Sequence, residues 1–262
     1  MKPHLRLLTA LLLGLALSTT HAQPGPRGRS PGGPPTGPQF GGSLAKIFGE
    51  HSAFFANTKM QVTGGSPQEE MIVPGKLAYL DGKSRFEMNM SKMKSKQLPA
   101  DAAAQMKEMG MDQMIAIGRP DKKVTYLIYS GLESYVENPL TDPSGAKPKD
   151  DFKMEITELG KDTVDGHACI KNKVVVTDPD GKTQESTVWN ATDLKKFPVK
   201  IETKDHESTT ILTFKDVKFS RPEDAQFEPP AKFKKYASMM GMMQEQMMKR
   251  MGGGFGAPPP GE

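Results

Sequence analysis

The sequence predicts a mainly β fold, an antiparallel meander curled into an incomplete barrel with a few helices lying across it as a lid. Three observations carry this. Hydrophobicity alternates with period two over most of the chain from Lys59 to Phe219. Asp-Gly pairs, which supply the positive φ of tight hairpins, fall at Asp81-Gly82, Asp165-Gly166 and Asp180-Gly181. Helical spacing of apolar residues is confined to the two ends of the domain and one stretch in the middle.

The elements follow in order. Ser43 can cap a short opening helix in which Leu44, Ile47, Phe48 and His51 share a face. "KLAYLDGKSRFEMNM" reads as two strands around Asp81-Gly82. "SKQLPADAAAQMKEMG" reads as a helix, with Pro99 in its first turn, Gly110 as its C-terminal cap, and Met106 and Met109 on one side. "MIAIGRPDKKVTYLIYSGLESYVENP" gives three strands. The middle one is apolar on both faces, Val124, Tyr126 and Ile128 against Leu127 and Tyr129, so it is expected to be central and covered twice. "FKMEITELG" sends Phe152, Met154 and Ile156 inward, and "HACIKNKVVVT" sends Ala168, Ile170, Val174 and Val176 to one face and Cys169 to the other. "STVWNATDLKKFPVKIET", with the only tryptophan, is a strand, a one-turn loop and a second strand opening at Pro198. In "STTILTFKDVKF" the apolar face changes parity between Phe214 and Val217, which predicts a bulge near Lys215-Asp216. The total is about ten antiparallel strands.

The ends bound location. "MKPHLRLLTALLLGLALSTTHA" has a basic start, an apolar run from Leu7 to Leu17 too short for a bilayer of roughly 30 Å, and small residues at Thr20 and Ala22. The expectation is a signal peptide over residues 1–22, with no lipid-anchor cysteine beside the cleavage point and a periplasmic or secreted product. Residues 23–42 are Pro/Gly-rich and are expected to form a disordered leader, residues 43–251 a single domain, and residues 252–262 a second disordered tail. The net charge of +4 falls to +2 once Lys2 and Arg6 are removed, too mild and too evenly spread for a nucleic-acid surface. Cys169 is the only cysteine, so the fold must rest on its core without an internal disulfide.

Three segments, "LGKDTVDGHACIKNKVVV", "STVWNATDLKKFPVKIET" and "FEPPAKFKKYASMMGMM", together resemble an uncharacterised family of exported bacterial proteins, a domain of unknown function. "RPDKKVTYLIYSGLESYVENP" fits the same family, and the likeness spans roughly Gly42 to Met251. That family is similar to the periplasmic lipoprotein-carrier (LolA/LolB-like) fold. The resemblance implies an incomplete antiparallel barrel with a concave side under helices, able to hold acyl chains. It implies no catalytic residues.

The chemistry-bearing residues are sparse. Asp165, His167 and Cys169 are close in sequence, but a nucleophilic triad needs a base held against its nucleophile, and a hairpin arm explains the spacing. No P-loop, dinucleotide fingerprint, nucleophile elbow or paired-carboxylate motif is present, and no cofactor or metal is expected. Methionine is the unusual residue. At 100° per residue Tyr236, Met239, Met240, Met243, Met247 and Met251 form one stripe of a C-terminal helix, with Met242 and Met248 off it. A second group, Met88, Met90, Met93, Met106, Met109, Met111 and Met114, surrounds the middle helix. Adaptable thioether side chains suit covers over an apolar concavity. The expected activity is non-enzymatic binding of a lipid or lipidated protein, with Trp189, Tyr126, Met106, Met109, Met240 and Met243 as candidate ligand contacts. Cu(I) capture by the C-terminal Met stripe is the alternative, and an envelope interaction module without a small ligand is a third.

Overall fold

The computed structural model describes residues 42–64, 70–96, 99, 101–140, 151–205 and 208–252. The expected signal peptide, nearly all of the leader, the tail beyond Gly252 and His206 lie outside the described residues. Thirteen strands form one sheet: β1 (Ala53–Thr63), β2 (Met71–Leu80), β3 (Lys83–Asn89), β4 (Lys94–Ser95), β5 (Gln113–Arg119), β6 (Val124–Tyr129), β7 (Ser134–Pro139), β8 (Lys153–Val164), β9 (His167–Thr177), β10 (Thr183–Ala191), β11 (Phe197–Asp205), β12 (Ser208–Lys218) and β13 (Lys234–Tyr236). The order is β13-β7-β6-β5-β3-β2-β1-β12-β11-β10-β9-β8, with β4 added to β2. Among the described residues β8 and β13 each have one ladder partner, so the sheet does not close. The sheet is antiparallel, as predicted, except that β13 pairs with β7 in parallel; it is two meanders rather than one, since β1 pairs with β12 while β7 and β8 are not neighbours.

The hairpins form where glycine and left-handed residues allow them. Asp81 and Gly82 take φ of 48° and 88°, and Asp165 and Gly166 take 49° and 88°, both of them turns with two positive-φ residues. The predicted bulge is present: Phe55 faces Lys218 but Asn57 faces Lys215, and Asp216 takes a φ of 51°. Asn57 Nδ2 donates to Asp216 Oδ2 at 2.7 Å and fixes the bulge.

One sheet face carries the larger core. Phe48, at the end of helix α1 (Gly42–Ile47), meets Phe54, Tyr79, Phe197 and Phe214 with ring centroids 5.0–6.1 Å apart. The opposite face of β2, β5 and β6 carries a smaller core of Ala78, Leu80, Ile117, Tyr126, Ile128 and Phe227. Its cover is the 219–233 segment, which leaves β12 beside β1 and reaches β13 beside β7, and so must cross the back of the sheet. Basic residues fasten it. Arg85 Nη1 donates to the Gln226 carbonyl (3.0 Å) and Arg119 Nη1 to the Phe227 carbonyl (3.2 Å), while Lys83 pairs with Asp224 and Arg119 with Glu228. The two apolar faces read in β6 are both buried, as expected.

Three expectations about facing are corrected. Ile156 is 57 % exposed, because β8 is the terminal strand and no element among the described residues covers it there. In β9 Ala168 is exposed and Cys169 buried; the register shift at Gly160 of β8 and another at Trp189–Asn190 of β10 change the parity of this corner. Helix α3 (Met239–Gly252) buries Met242, the residue placed off the stripe, while Met240 and Met247 face solvent. Its seat is set at its start, where Met242 N–H donates to the Ser238 carbonyl and Lys234 pairs with Glu245 at 2.6 Å.

Candidate functional site

Helix α2 (Ala102–Glu108) and Pro99 line a cleft at a break in the sheet. β2 pairs with β3 from Gly75 to Leu80 and with β4 only at Met71 and Ile72. Between these ladders stands Pro74, which has no N–H to offer a ladder. The chain detours there through a 3-10 turn, Met90–Lys92, before β4 begins. Asn89 caps that turn, its Oδ1 accepting from the Ser91 N–H at 3.0 Å. Above the gap α2 ends in a Schellman closure, with Met111 N–H on the Met106 carbonyl (2.8 Å) and Gly110 N–H on that of Lys107 (3.0 Å). Gly110 has a φ of 70° and packs so closely on Gly131 that a Cβ at Gly131 would stand 2.6 Å from the Gly110 carbonyl oxygen. This close approach seats the C-terminal end of α2 on the β6–β7 turn.

The result is a cleft of about 420 Å³. Its apolar lining is Ile72, Met90, Met93, Pro99, Ala102, Ala103 and Met106. Glu70, Ser95 and the lysines Lys94 and Lys96 stand on it as well. Glu70 is held by Gln61, whose Nε2 donates to Oε1 at 2.7 Å. No residue of α2 is buried, so the helix is bound to the domain through half-buried contacts alone. A short helix with little burial belongs to the low-stability end of a structure. The cleft is of the size that small ligands occupy, and its roof is the part most easily displaced.

The expected ligand contacts divide. Met106 lines the cleft; Met109, the residue that caps the C-terminal end of α2, is half-buried. Tyr126 is in the smaller core behind the sheet, 5.9 Å from Tyr135, and burial raises its phenol pKa. Trp189 is 4 % exposed on β10. Its indole N–H donates to Asp162 Oδ2 at 2.8 Å, and the ammonium groups of Lys200 and Lys171 sit 3.9 and 5.2 Å from its ring centre. That hydrogen bond holds the Asp162 carboxyl below the usual range. Trp189 is thus a corner post of β8–β11. Met243 is half-buried on α3 and Met240 is 80 % exposed. Ile72, Met90 and Met93 complete the cleft; Met90 and Met93 belong to the second methionine group, whereas nothing in the sequence around Ile72 marks it.

Asp165, His167 and Cys169 are not assembled for catalysis. Asp165 pairs with Lys215 at 2.9 Å, His167 Nδ1 with Asp193 Oδ2 at 2.7 Å, and the Cys169 thiol donates to the His167 carbonyl at 3.3 Å. Burial pushes the thiol pKa up, away from a reactive thiolate. Among the described residues no group of three or more His, Cys, Asp or Glu is placed to hold a metal ion, and no helix is long and apolar enough to cross a membrane.

No protein-family model matches the chain, and no curated protein sequence matches it. Solved structures do. A LolA superfamily protein from Nitrosomonas europaea is similar over 72 % of this chain and 96 % of its own, at 9 % identity and a TM-score of 0.39. The lipoprotein LppX of Mycobacterium tuberculosis is similar over 70 % of this chain and 94 % of its own, at 10 % identity and a TM-score of 0.38. An outer membrane lipoprotein-sorting protein domain from Vibrio parahaemolyticus covers 72 % of this chain and 96 % of its own, at 13 % identity and a TM-score of 0.30. Proteins described as LolA superfamily and as lipoprotein-sorting thus stand among the solved structures that the chain is similar to.

Proposed function

We propose that this is an exported, non-enzymatic protein that binds the acyl tail of an amphiphile in the cleft beneath α2. One observation carries the reading: an open cleft of about 420 Å³ with Met90, Met93, Met106 and Ile72 on its walls, roofed by a helix without a buried residue. An unbranched thioether reshapes around a flexible chain at little cost, which a wall of aromatic rings cannot do. The tail would lie against the methionines, and an anionic head would meet Lys94 and Lys96 at the cleft. The ligand class is a single-chain lipid or an acylated peptide.

Calorimetric titration of the protein with a series of lysophospholipids tests this. Each added CH₂ should contribute about 0.8 kcal/mol, or about fourfold in affinity, until the cleft is full. Ala103→Trp, which adds bulk to the cleft from a half-buried lining position, should abolish the chain-length dependence while leaving the melting temperature nearly unchanged. Affinity that is independent of chain length, or indifferent to Ala103→Trp, removes the proposal.

A further inference from the structure

The solvent face of α3 is unexplained by amphiphile binding in the cleft. The helix reads MMGMMQEQMMKRMG and holds seven methionines but no Leu, Ile, Val or Phe. Met242 is fully buried, whereas Met240, Met247 and Met248 are 80 %, 60 % and 59 % exposed. Met240, Met243 and Met247 stand at i, i+3 and i+7. With 3.6 residues per turn they fall within about 60° of one another, over about 10 Å of helix axis. A face built only to exclude water has no reason to avoid leucine, which forms helix as well as methionine does and is at least as apolar. What methionine adds is a sulfur lone pair on an arm of three rotatable bonds.

The surrounding charges select the kind of partner. The three thioethers are neutral donors, and no carboxylate lies among them. Glu245, the acid of this helix, is engaged by Lys234 at 2.7 and 2.6 Å and by Lys249 at 3.0 Å. These hydrogen bonds hold its carboxyl down to about 2. Hard divalent ions want oxygen donors that this stripe does not offer, while soft thioethers select monovalent copper. The helix is already fastened by Met242, the Ser238 cap and the Glu245 pairs, so the backbone that carries the donors is fixed and only the thioether arms have to converge on an ion.

We propose that Met240, Met243 and Met247 form a thioether site for Cu(I) on the solvent face of α3. The cleft does not enter into it, so the two can fail separately. Anaerobic titration of the protein with Cu(I), against a competing chromophoric chelator, should show one ion bound per chain, with Ag(I) as a redox-inert substitute. Met240→Leu and Met247→Leu keep side-chain bulk and helix propensity, and each should weaken binding roughly tenfold or more, since tethered donors act together. Met248→Leu, which lies off the stripe, and Met106→Leu, in the cleft, should leave affinity unchanged. X-ray absorption of the loaded protein should show sulfur donors alone. Undiminished affinity in the Met240→Leu/Met243→Leu/Met247→Leu protein would overturn the proposal. So would a loss that follows Met90→Leu, Met93→Leu and Met106→Leu instead.

Discussion

The inner face of the sheet is built of two materials. Over β1, β2, β11 and β12 it is aromatic: Phe54, Tyr79, Phe197 and Phe214 close around Phe48, with Phe54 and Phe197 only 4.9 Å apart edge to face. Over β3, β5 and the turn after β3 thioethers predominate: Met88, Met90 and Met114 are buried beside the single ring of Phe86, with Met93, Met106 and Met111 packed against the core. Rings have fixed shapes and preferred contact angles, and each such pair adds about 0.5–1.5 kcal/mol to its area burial. Thioethers have neither constraint. The aromatic half fixes the meander; the methionine half leaves a cleft whose shape can change. On the proposed reading, stability and binding fall to different strands of one sheet.

The difference can be broken or sharpened by substitution, and the largest effect should come from the aromatic half. Phe197→Ala removes a fully buried ring in contact with Phe48, Phe54 and Phe214, and should cost about 3–5 kcal/mol in denaturant unfolding. Gly75→Ala comes next. A Cβ there would stand 2.8 Å from both the Phe86 ring and the Glu87 carbonyl oxygen, so about 1–3 kcal/mol should be lost. Met88→Leu and Met90→Leu should each cost under about 1.5 kcal/mol. A methionine substitution as costly as Phe197→Ala would show that the thioether half is packed as rigidly as the aromatic half.

Acid should act at two places: on His51, which meets Phe197 edge to face with ring centres 5.2 Å apart and is held below the ordinary imidazole value by burial, and on the depressed carboxylates, among them those that fasten the 219–233 segment behind the sheet. Arg119 holds Asp121 below the usual carboxylate range, and Lys83 does the same for Asp224. For Glu228 burial pushes the pKa up, but hydrogen bonds from Lys122 and Arg119 outweigh it. All three are depressed in the folded protein, so their contribution is complete above the ordinary carboxylate value of about 4 and is lost as pH falls through the folded values. Thermal melts should therefore decline slightly as pH falls through the ordinary imidazole value of about 6.5, where His51 must be protonated on unfolding, and more steeply below about pH 4, with the steep part shallower in Arg119→Met. A melting temperature unchanged down to pH 3 would count against these pairs.

How far the sequence discloses this arrangement depends on what sets each feature. The two faces of β6, the hairpins at Asp81 and Asp165 and the Asp216 bulge are local: a parity or a turn residue states them outright. Ile156 is exposed against its alternation, because an edge strand alternates as a covered one does and only the neighbours differ. The α3 stripe is visible in the sequence, but Met242, off the stripe, is the residue that packs. The angle of the stripe is a property of the helix, but the side that packs is chosen by Tyr236, Ser238 and Lys234, which position the helix start. Met106, Met90 and Met93 were legible as a group. Ile72 and Glu70 were not, because the cleft arises where one ladder ends at Gly75 and another resumes at Ile72, which no periodicity records.

The most direct measurement is methyl NMR of methionine-labelled protein with a lysolipid carrying a spin label near its chain end. A tail in the cleft broadens the Met90, Met93 and Met106 methyl signals and spares Met240 and Met247. Broadening confined to Met240, Met247 and Met248, or spread over every exposed methionine, would mean that the chain adsorbs on the surface of α3 and that the cleft is not a binding site.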